Sequence, residues 1–342
     1  MSLPPLRVRR PRAALLLLGL AAAVLAYAPA GGAHLPQRAA LRLAFLGDVM
    51  LGRGVSTAHR AAGSPGWSAA LQTLAPVLAR ADLAVANLES PITARPPLNS
   101  AAFDLRAAPA SLLALTAAGV DAVTLANNHA QDSGPSGLGD TLRSTVQAGL
   151  LPAASGQMRF IQAGAYRVGL LALDDVSAPL DLPASTAALA QARPWVDILA
   201  VSVHWGLEYT AGPTPREESL ARAWQAAGAD LIVGHHPHVL QPVVILPPAG
   251  AHQTVVAYSL GNALFDQPAP PETRWGAVLL VDWGPAGLEQ VSLLPFEINI
   301  RAGAVEPAGA DIQAWVASRA ANPGVGNPRV GSPGTFILTD YR

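Results

Sequence analysis

The chain of 342 residues contains no cysteine and no lysine. Without cysteine there are no disulfides, no thiol nucleophile and no thiolate zinc site. Without lysine there is no Gly-Lys-Ser/Thr phosphate loop and no Schiff-base amine. A Gly-x-Ser-x-Gly nucleophile elbow is missing as well. Charge is sparse: 13% of residues are charged, all 22 basic residues are arginine, and the formal net charge is −1. That balance points away from nucleic acid as a partner. Several large enzyme classes are thus excluded before any motif is considered.

What is present is a set of short apolar runs, each ending in a metal-binding or proton-moving side chain. Leu43 to Leu46 runs into Gly47-Asp48. Leu83 to Ala86 runs into Asn87-Leu88-Glu89. Ala122 to Ala126 runs into Asn127-Asn128-His129. Ile198 to Val203 runs into His204. Leu231 to Val233 runs into Gly234-His235-His236-Pro237-His238. Val255 to Leu260 runs into Gly261-Asn262. Such runs read as buried strands. In α/β proteins ligands bind outside the carboxyl ends of the strands, so donors far apart in sequence can meet there. The donors are oxygen and nitrogen, which points to a metal-dependent site.

Residues 1–40 read as a signal peptide or N-terminal membrane anchor plus linker. Arg7, Arg9, Arg10 and Arg12 precede an uncharged stretch from Ala13 to Ala28. That stretch is about 16 residues, shorter than the roughly 20 of a full span. Small-residue patterns at Ala26-Tyr27-Ala28 and Ala28-Pro29-Ala30 resemble cleavage sites, and Pro29 disfavours cutting at the first. The basic flank comes first, so the expected location is extracytoplasmic: tethered to the membrane if the segment stays, secreted if it is cut.

Residues 41–342 read as one domain. Helical spacing appears over Leu71 to Ala81, Ala110 to Ala118 and Ser219 to Ala227. The last two end in Gly119 and Gly228, where a helix C-cap is expected. Strand and helix alternate as in βαβ units. Beyond residue 252 the strands Thr254 to Leu260, Ala277 to Trp283, Gln290 to Ile298 and Phe336 to Thr339 predict a second, more antiparallel sheet. A helix from Asp311 to Ala321 would cover the core with Ile312, Trp315 and Val316. The predicted fold is α/β, a four-layer α/β/β/α sandwich of two mixed sheets.

Each candidate residue also has an ordinary structural role open to it. Asp48 can ligate a cation or cap a helix. Arg53 can hold an anion or pair with a surface acid. Glu89 at the end of an apolar run must be paired, metal-bound or solvent-facing. Asn128 and His129 suit a ligand and a proton donor, or a turn. His204 alone would suit a core position. Three histidines at 235, 236 and 238 suit Zn, Mn or Fe, with Pro237 holding His236 and His238 toward one site. Glu208, Tyr209, Asn262 and Asp266 read as polar groups bordering the same mouth. Glu217 and Glu218 read as serving a helix dipole.

In this order, Gly47-Asp48-Val49-Met50-Leu51-Gly52-Arg53, Asn87-Leu88-Glu89-Ser90-Pro91, Leu125-Ala126-Asn127-Asn128-His129-Ala130, His204-Trp205-Gly206-Leu207-Glu208-Tyr209, Gly234-His235-His236-Pro237-His238 and Tyr258-Ser259-Leu260-Gly261-Asn262 resemble the CapA family of poly-γ-glutamate capsule synthesis proteins. The resemblance spans roughly residues 41 to 268. That family is similar to calcineurin-like metallophosphoesterases, which implies their sandwich fold and a centre of one or two divalent cations. The resemblance implies Asp48, Glu89, Asn128, His204, His236 and His238 as metal ligands, with His235 an alternative to His236. It implies His129 as proton donor. Met50 stands where the wider superfamily has a histidine ligand. A hydrolase or transferase acting on an anionic polymer, poly-γ-glutamate, with membrane proteins of capsule synthesis and export as partners, is the expected function. A noncatalytic component that grips the polyanion is the alternative.

Overall fold

All six donor-ended runs form strands, and in several of them alternate side chains belong to different cores. The computed structural model describes residues 40–61, 63, 65–98, 101–249, 252–320, 329–330 and 336–340; the predicted leader and linker, residues 1–40, lie outside them save for residue 40. The first sheet begins with parallel β1 (Leu41–Val49), β2 (Leu83–Leu88), β3 (Ala122–Leu125) and β4 (Leu151–Ala154). The chain then builds a second sheet from β5 (Met158–Ala163), β6 (Tyr166–Asp174), β7 (Ile198–His204), β8 (Leu231–His235), β9 (Val243–Ala249) and β10 (His252–Ala257). Its order is β5-β6-β7-β8-β10-β9, parallel except at the two edges. Finally β11 (Asn262–Leu264), β12 (Trp275–Gly284), β13 (Gly287–Asn299), β14 (Ala304–Pro307), β15 (Arg329–Val330) and β16 (Phe336–Asp340) return to the first sheet.

The layers follow from two-residue periodicity. Leu43, Phe45, Leu83 and Val85 of the first sheet meet Val168, Leu170, Ile198, Ala200, Leu231 and Val233 of the second. Ala44, Leu46, Ala84 and Ala86 face the other way. There they share a core with Leu74, Leu78, Leu112 and Leu115 from the segments holding α1 (Arg53–Arg60), α2 (Ala75–Leu78) and α3 (Leu113–Ala118). The helix α4 (Gly134–Gln147) links β3 to β4. On the far side of the second sheet, Leu199, Val201 and Val203 pack on Leu189 and Trp224 of α5 (Leu182–Ala192) and α6 (Pro215–Ala226). Each large apolar side chain buried this way is worth about 1.5–3 kcal/mol, which makes the cores the main stabilising term. The predicted four-layer sandwich of two mixed sheets is the observed one. The last helix, α7 (Ala310–Ala320), buries Ile312 and Val316 in the core between the sheets, with Trp315 partly buried against it.

Gly119 and Gly228 take positive φ of 94° and 97° after α3 and α6, as expected of helix stops. Glu217 closes a capping box with Thr214 at the start of α6.

Two expectations are corrected. The strands after residue 252 do not make a sheet of their own. β10 joins the middle of the chain's parallel sheet, while β12, β13 and β16 extend the first sheet from β1. The reason is that β12 is apolar on both faces: Ala277, Leu279 and Val281 enter the core between the sheets, and Val278 and Leu280 enter the other. Such a strand needs cover on both sides, and the place beside β1 supplies it. The helix expected over Leu71 to Ala81 is confined to α2, Ala75–Leu78, with turns around it. Pro76 has no N–H to bond backward and instead starts the helix.

Candidate metal centre

The carboxyl ends of β1, β2, β3, β7 and β8 lie together, and register places their polar residues side by side. Asp48 is opposite Asn87 on one side and Asn262 on the other. His204 is opposite His235. Asp48, Asn87, Glu89, His204, His235, His236 and His238 are all buried.

The carboxylates and imidazoles converge on Glu89. Its Oε1 is 3.8 Å from His204 Nε2, 3.8 Å from His129 Nε2 and 3.6 Å from His238 Nε2. Asp48 accepts hydrogen bonds from Asn87 Nδ2 at 2.8 Å and from the His236 backbone N–H at 3.1 Å. The amide chain behind it is directional. Asn127 Nδ2 donates to Leu88 O at 3.0 Å and to Asn87 Oδ1 at 3.1 Å, so Asn87 must turn its own amine toward Asp48. Asn262 Nδ2 donates to Gln267 Oε1 and Thr273 O, which leaves its Oδ1 to accept from His238 Nδ1 at 2.9 Å. Nδ1 of His238 therefore keeps a proton, and Nε2, which faces Glu89, is the atom that would give one up to a cation.

Several buried lone-pair atoms have no hydrogen bond among the described residues: both oxygens of Glu89, Asn128 Oδ1, His204 Nε2, His235 Nδ1 and His236 Nδ1. Buried polar atoms are almost always hydrogen-bonded, and leaving one bare costs about 1–3 kcal/mol. Six oxygen and nitrogen atoms without a hydrogen bond at one pocket fit a group that bonds to lone pairs, which a cation does. Asp48, Glu89 and His204 offer donor atoms within 4.8 Å of one another, and so do Glu208, His236 and His238. The residues present therefore suit one or two divalent cations.

Electrostatics agree. Burial raises the Glu89 carboxyl well above its usual range, with the charge of Asp48 adding to the effect. Burial also works against charge on Asp48, yet His235 and His238 outweigh it and hold Asp48 well below the usual carboxylate range. Burial opposes protonation of His238 too, but Glu89 and Asp48 lift it to about 9. Burial lowers His204 well below its ordinary value and takes His236 to about 4, aided there by the charge of His238. A cation would satisfy the same field that distorts these groups.

The other predicted residues fall as follows. His129 is partly buried at the pocket, its Nδ1 on Asp132 Oδ2 at 2.8 Å and its Nε2 facing Glu89. His235 reaches both ways, its Nδ1 3.3 Å from Asp48 Oδ1 and its Nε2 on Ser202 Oγ at 3.0 Å, which itself bonds Thr124. His236 stands with His238, ring centroids 5.9 Å apart, on backbone φ of 95° and 57°. Positive φ on non-glycine residues is strained and gathers at functional sites. Arg53 lies at the rim, ion-paired with Asp266, its guanidinium 5.5 Å and 5.8 Å from the rings of Phe265 and Phe103. Of its two readings, pairing with an acid is the one seen. Met50 is fully buried and its sulfur accepts from Gly52 N–H at 3.0 Å, so it offers nothing to the pocket. Sequence reasoning gave no role of its own to Asn127, none to Asp132 beyond fitting the turn after His129, and none to Asn262 beyond bordering the mouth; the signal for Asn127 and Asn262 was position at a strand end.

Residues 42–267 match the family described as bacterial capsule synthesis protein PGA_cap, close to the span of the resemblance read from the motifs. The chain is 30% identical over 282 residues to the PGA biosynthesis protein CapA of Bacillus subtilis (strain 168), covering 76% of this chain and 72% of that one. It is 31% identical over 298 residues to the capsule biosynthesis protein CapA of Bacillus anthracis, covering 78% and 69%. A hypothetical protein from Thermus thermophilus shares the fold, with a TM-score of 0.52 at 17% identity, covering 75% of this chain and 99% of that one. Motif order, strand-end geometry and a match across most of the sandwich agree, and the chain belongs to the bacterial capsule synthesis protein PGA_cap family.

Proposed function

We propose that this protein is a divalent-cation-dependent hydrolase or transferase that acts in poly-γ-glutamate capsule synthesis. Relatives named for PGA and capsule biosynthesis support the polymer. The observation that carries the chemistry is Glu89, a buried carboxylate with both oxygens bare amid Asp48, His204 and His238. Asp48, Glu89, Asn128, His204, His236 and His238 would hold the cation or cations. When bound, these supply Lewis-acid polarisation of the substrate's electrophilic centre. Asn87 and Asn262 keep Asp48 and His238 in register for that task. Asp132 fixes the ring of His129 through Nδ1, leaving Nε2 to hand a proton to the leaving group. Arg53, shared with Asp266, would help fix anionic substrate at the rim. The basic, apolar leader favours an extracytoplasmic site of action, beside membrane proteins of synthesis and export.

The test is an assay of purified protein with Mn²⁺ on poly-γ-glutamate and on a generic phosphodiester. His129→Ala is expected to lower turnover by about 10²–10⁴-fold with Mn²⁺ affinity unchanged. Polymer binding with no turnover on either substrate would replace the enzyme by a noncatalytic component that grips the polyanion.

A further inference from the structure

The two donor groups of the pocket are unequal. Asp48, Glu89 and His204 are fully buried, whereas Glu208 is an exposed residue placed against buried His236 and His238. Glu208 belongs to the turn after β7, and the resemblance read from the motifs assigns it no ligand role. Its position is nonetheless fixed. Tyr209, next in sequence, has φ of 62° and donates its N–H to Pro237 O at 2.9 Å. Pro237 lies between the two histidines, so that one bond ties Glu208 to them. Buried Gln241 holds the following backbone by donating to Thr210 O at 2.9 Å. Gln267, which also accepts from Asn262, donates to Tyr209 Oη at 3.2 Å.

An independent observation points to a ligand there. His236 is 6% exposed, and its Nδ1 has no hydrogen bond among the described residues. Asn262 holds Nδ1 of His238, which leaves Nε2 as the atom that could turn to a cation. Two imidazoles, neutral once they ligate, leave a dication's charge uncompensated, and the buried side chain of Met50 on the Asp48 strand supplies no donor. A carboxylate is the missing element, and Glu208 brings one within 4.8 Å of donor atoms on both histidines.

We propose that Glu208 completes an outer divalent-cation site with His236 and His238, adjoining the inner site of Asp48, Glu89 and His204 and sharing Glu89 with it. The proposal rests on the cation-dependent reading above. A lone ligand on the exposed side makes the outer cation the more exchangeable one.

The experiment is Mn²⁺ binding by calorimetry, with electron paramagnetic resonance of the loaded protein, on the full chain and on Glu208→Gln. Expected are two Mn²⁺ per chain with a spin-coupled signal. In Glu208→Gln the weaker site loses at least about tenfold in affinity, as loss of even an outer partner of a ligand does. The remaining signal is that of an isolated ion. Glu208 is exposed, so an unchanged circular dichroism spectrum will show that the variant folds. Two ions with unchanged affinities in Glu208→Gln would overturn the proposal, as would a single ion bound equally by both proteins. No Mn²⁺ bound by the parent chain would instead remove the cation-dependent reading itself.

Discussion

Glu89 is the residue on which the pocket turns. No described residue donates a hydrogen bond to its carboxyl, and burial raises that group well above the usual carboxylate range. An unfolded chain gives up this proton near pH 4.3 and that of His238 near 6.5. In the folded, cation-free protein both groups are raised, His238 to about 9. Between about pH 6.5 and about 9 the folded state therefore binds more protons than the unfolded state, and stability falls as pH rises through that window. A cation must displace the same protons, so its apparent affinity rises with pH by about tenfold per unit for each proton displaced. Titrations of Mn²⁺ from about pH 6.5 to about 8.5 will show this slope. Glu89→Gln removes the Glu89 share of both effects and leaves that of Asp48 on His238. The variant is expected to be more stable than the parent without cation, by about 1–3 kcal/mol at neutral pH, and to lose the thermal shift caused by Mn²⁺.

Strand ends set the donors, and close backbone passage sets the strand ends. Gly234 precedes the three histidines on β8. A Cβ there would sit 2.0 Å from Tyr258 O and 2.2 Å from Trp205 Nε1. Trp205 is itself buried, stacked near Trp224 and Tyr258, with Nε1 donating to Tyr258 O. No small rearrangement makes room, so Gly234→Ala is expected to cost about 3 kcal/mol in urea denaturation and to weaken cation binding by shifting His236. Gly212, on the loop near Glu208, meets nothing within 4 Å. Gly212→Ala should stay within about 0.5 kcal/mol of the parent, which makes it the control.

The whole molecule is two sheets facing each other, and the pocket spans them. Asp48 and Glu89 come from the first sheet; His204, His236 and His238 come from the second. A bound cation therefore ties the halves of the sandwich together. At a concentration of 100 times Kd it should add about 2.7 kcal/mol to stability, a rise in melting temperature of roughly 5 °C. Removal by a chelator should reverse the rise, and calorimetric scans with and without chelator will measure it. An unchanged melting temperature would mean that the sheets meet without help from a cation.

The strands, their carboxyl-end donors and the four layers were legible in the sequence because they depend on local period and on what an apolar run can bury. Leu43 to Leu46 and Ile198 to Val203 could only be strands covered on both faces. The allotment of strands to sheets was not legible: β12 is as apolar as β10, and only pairing with β1 sends one to the first sheet and the other to the second. Nor could the sequence place His235 and His236, which differ by one backbone step. Tertiary contact sets their surroundings: His235 lies between Ser202 and Asp48, while His236, on a positive φ, stands by His238 and Glu208. Period and composition are properties of one segment at a time; orientation at a site belongs to the several segments that meet there.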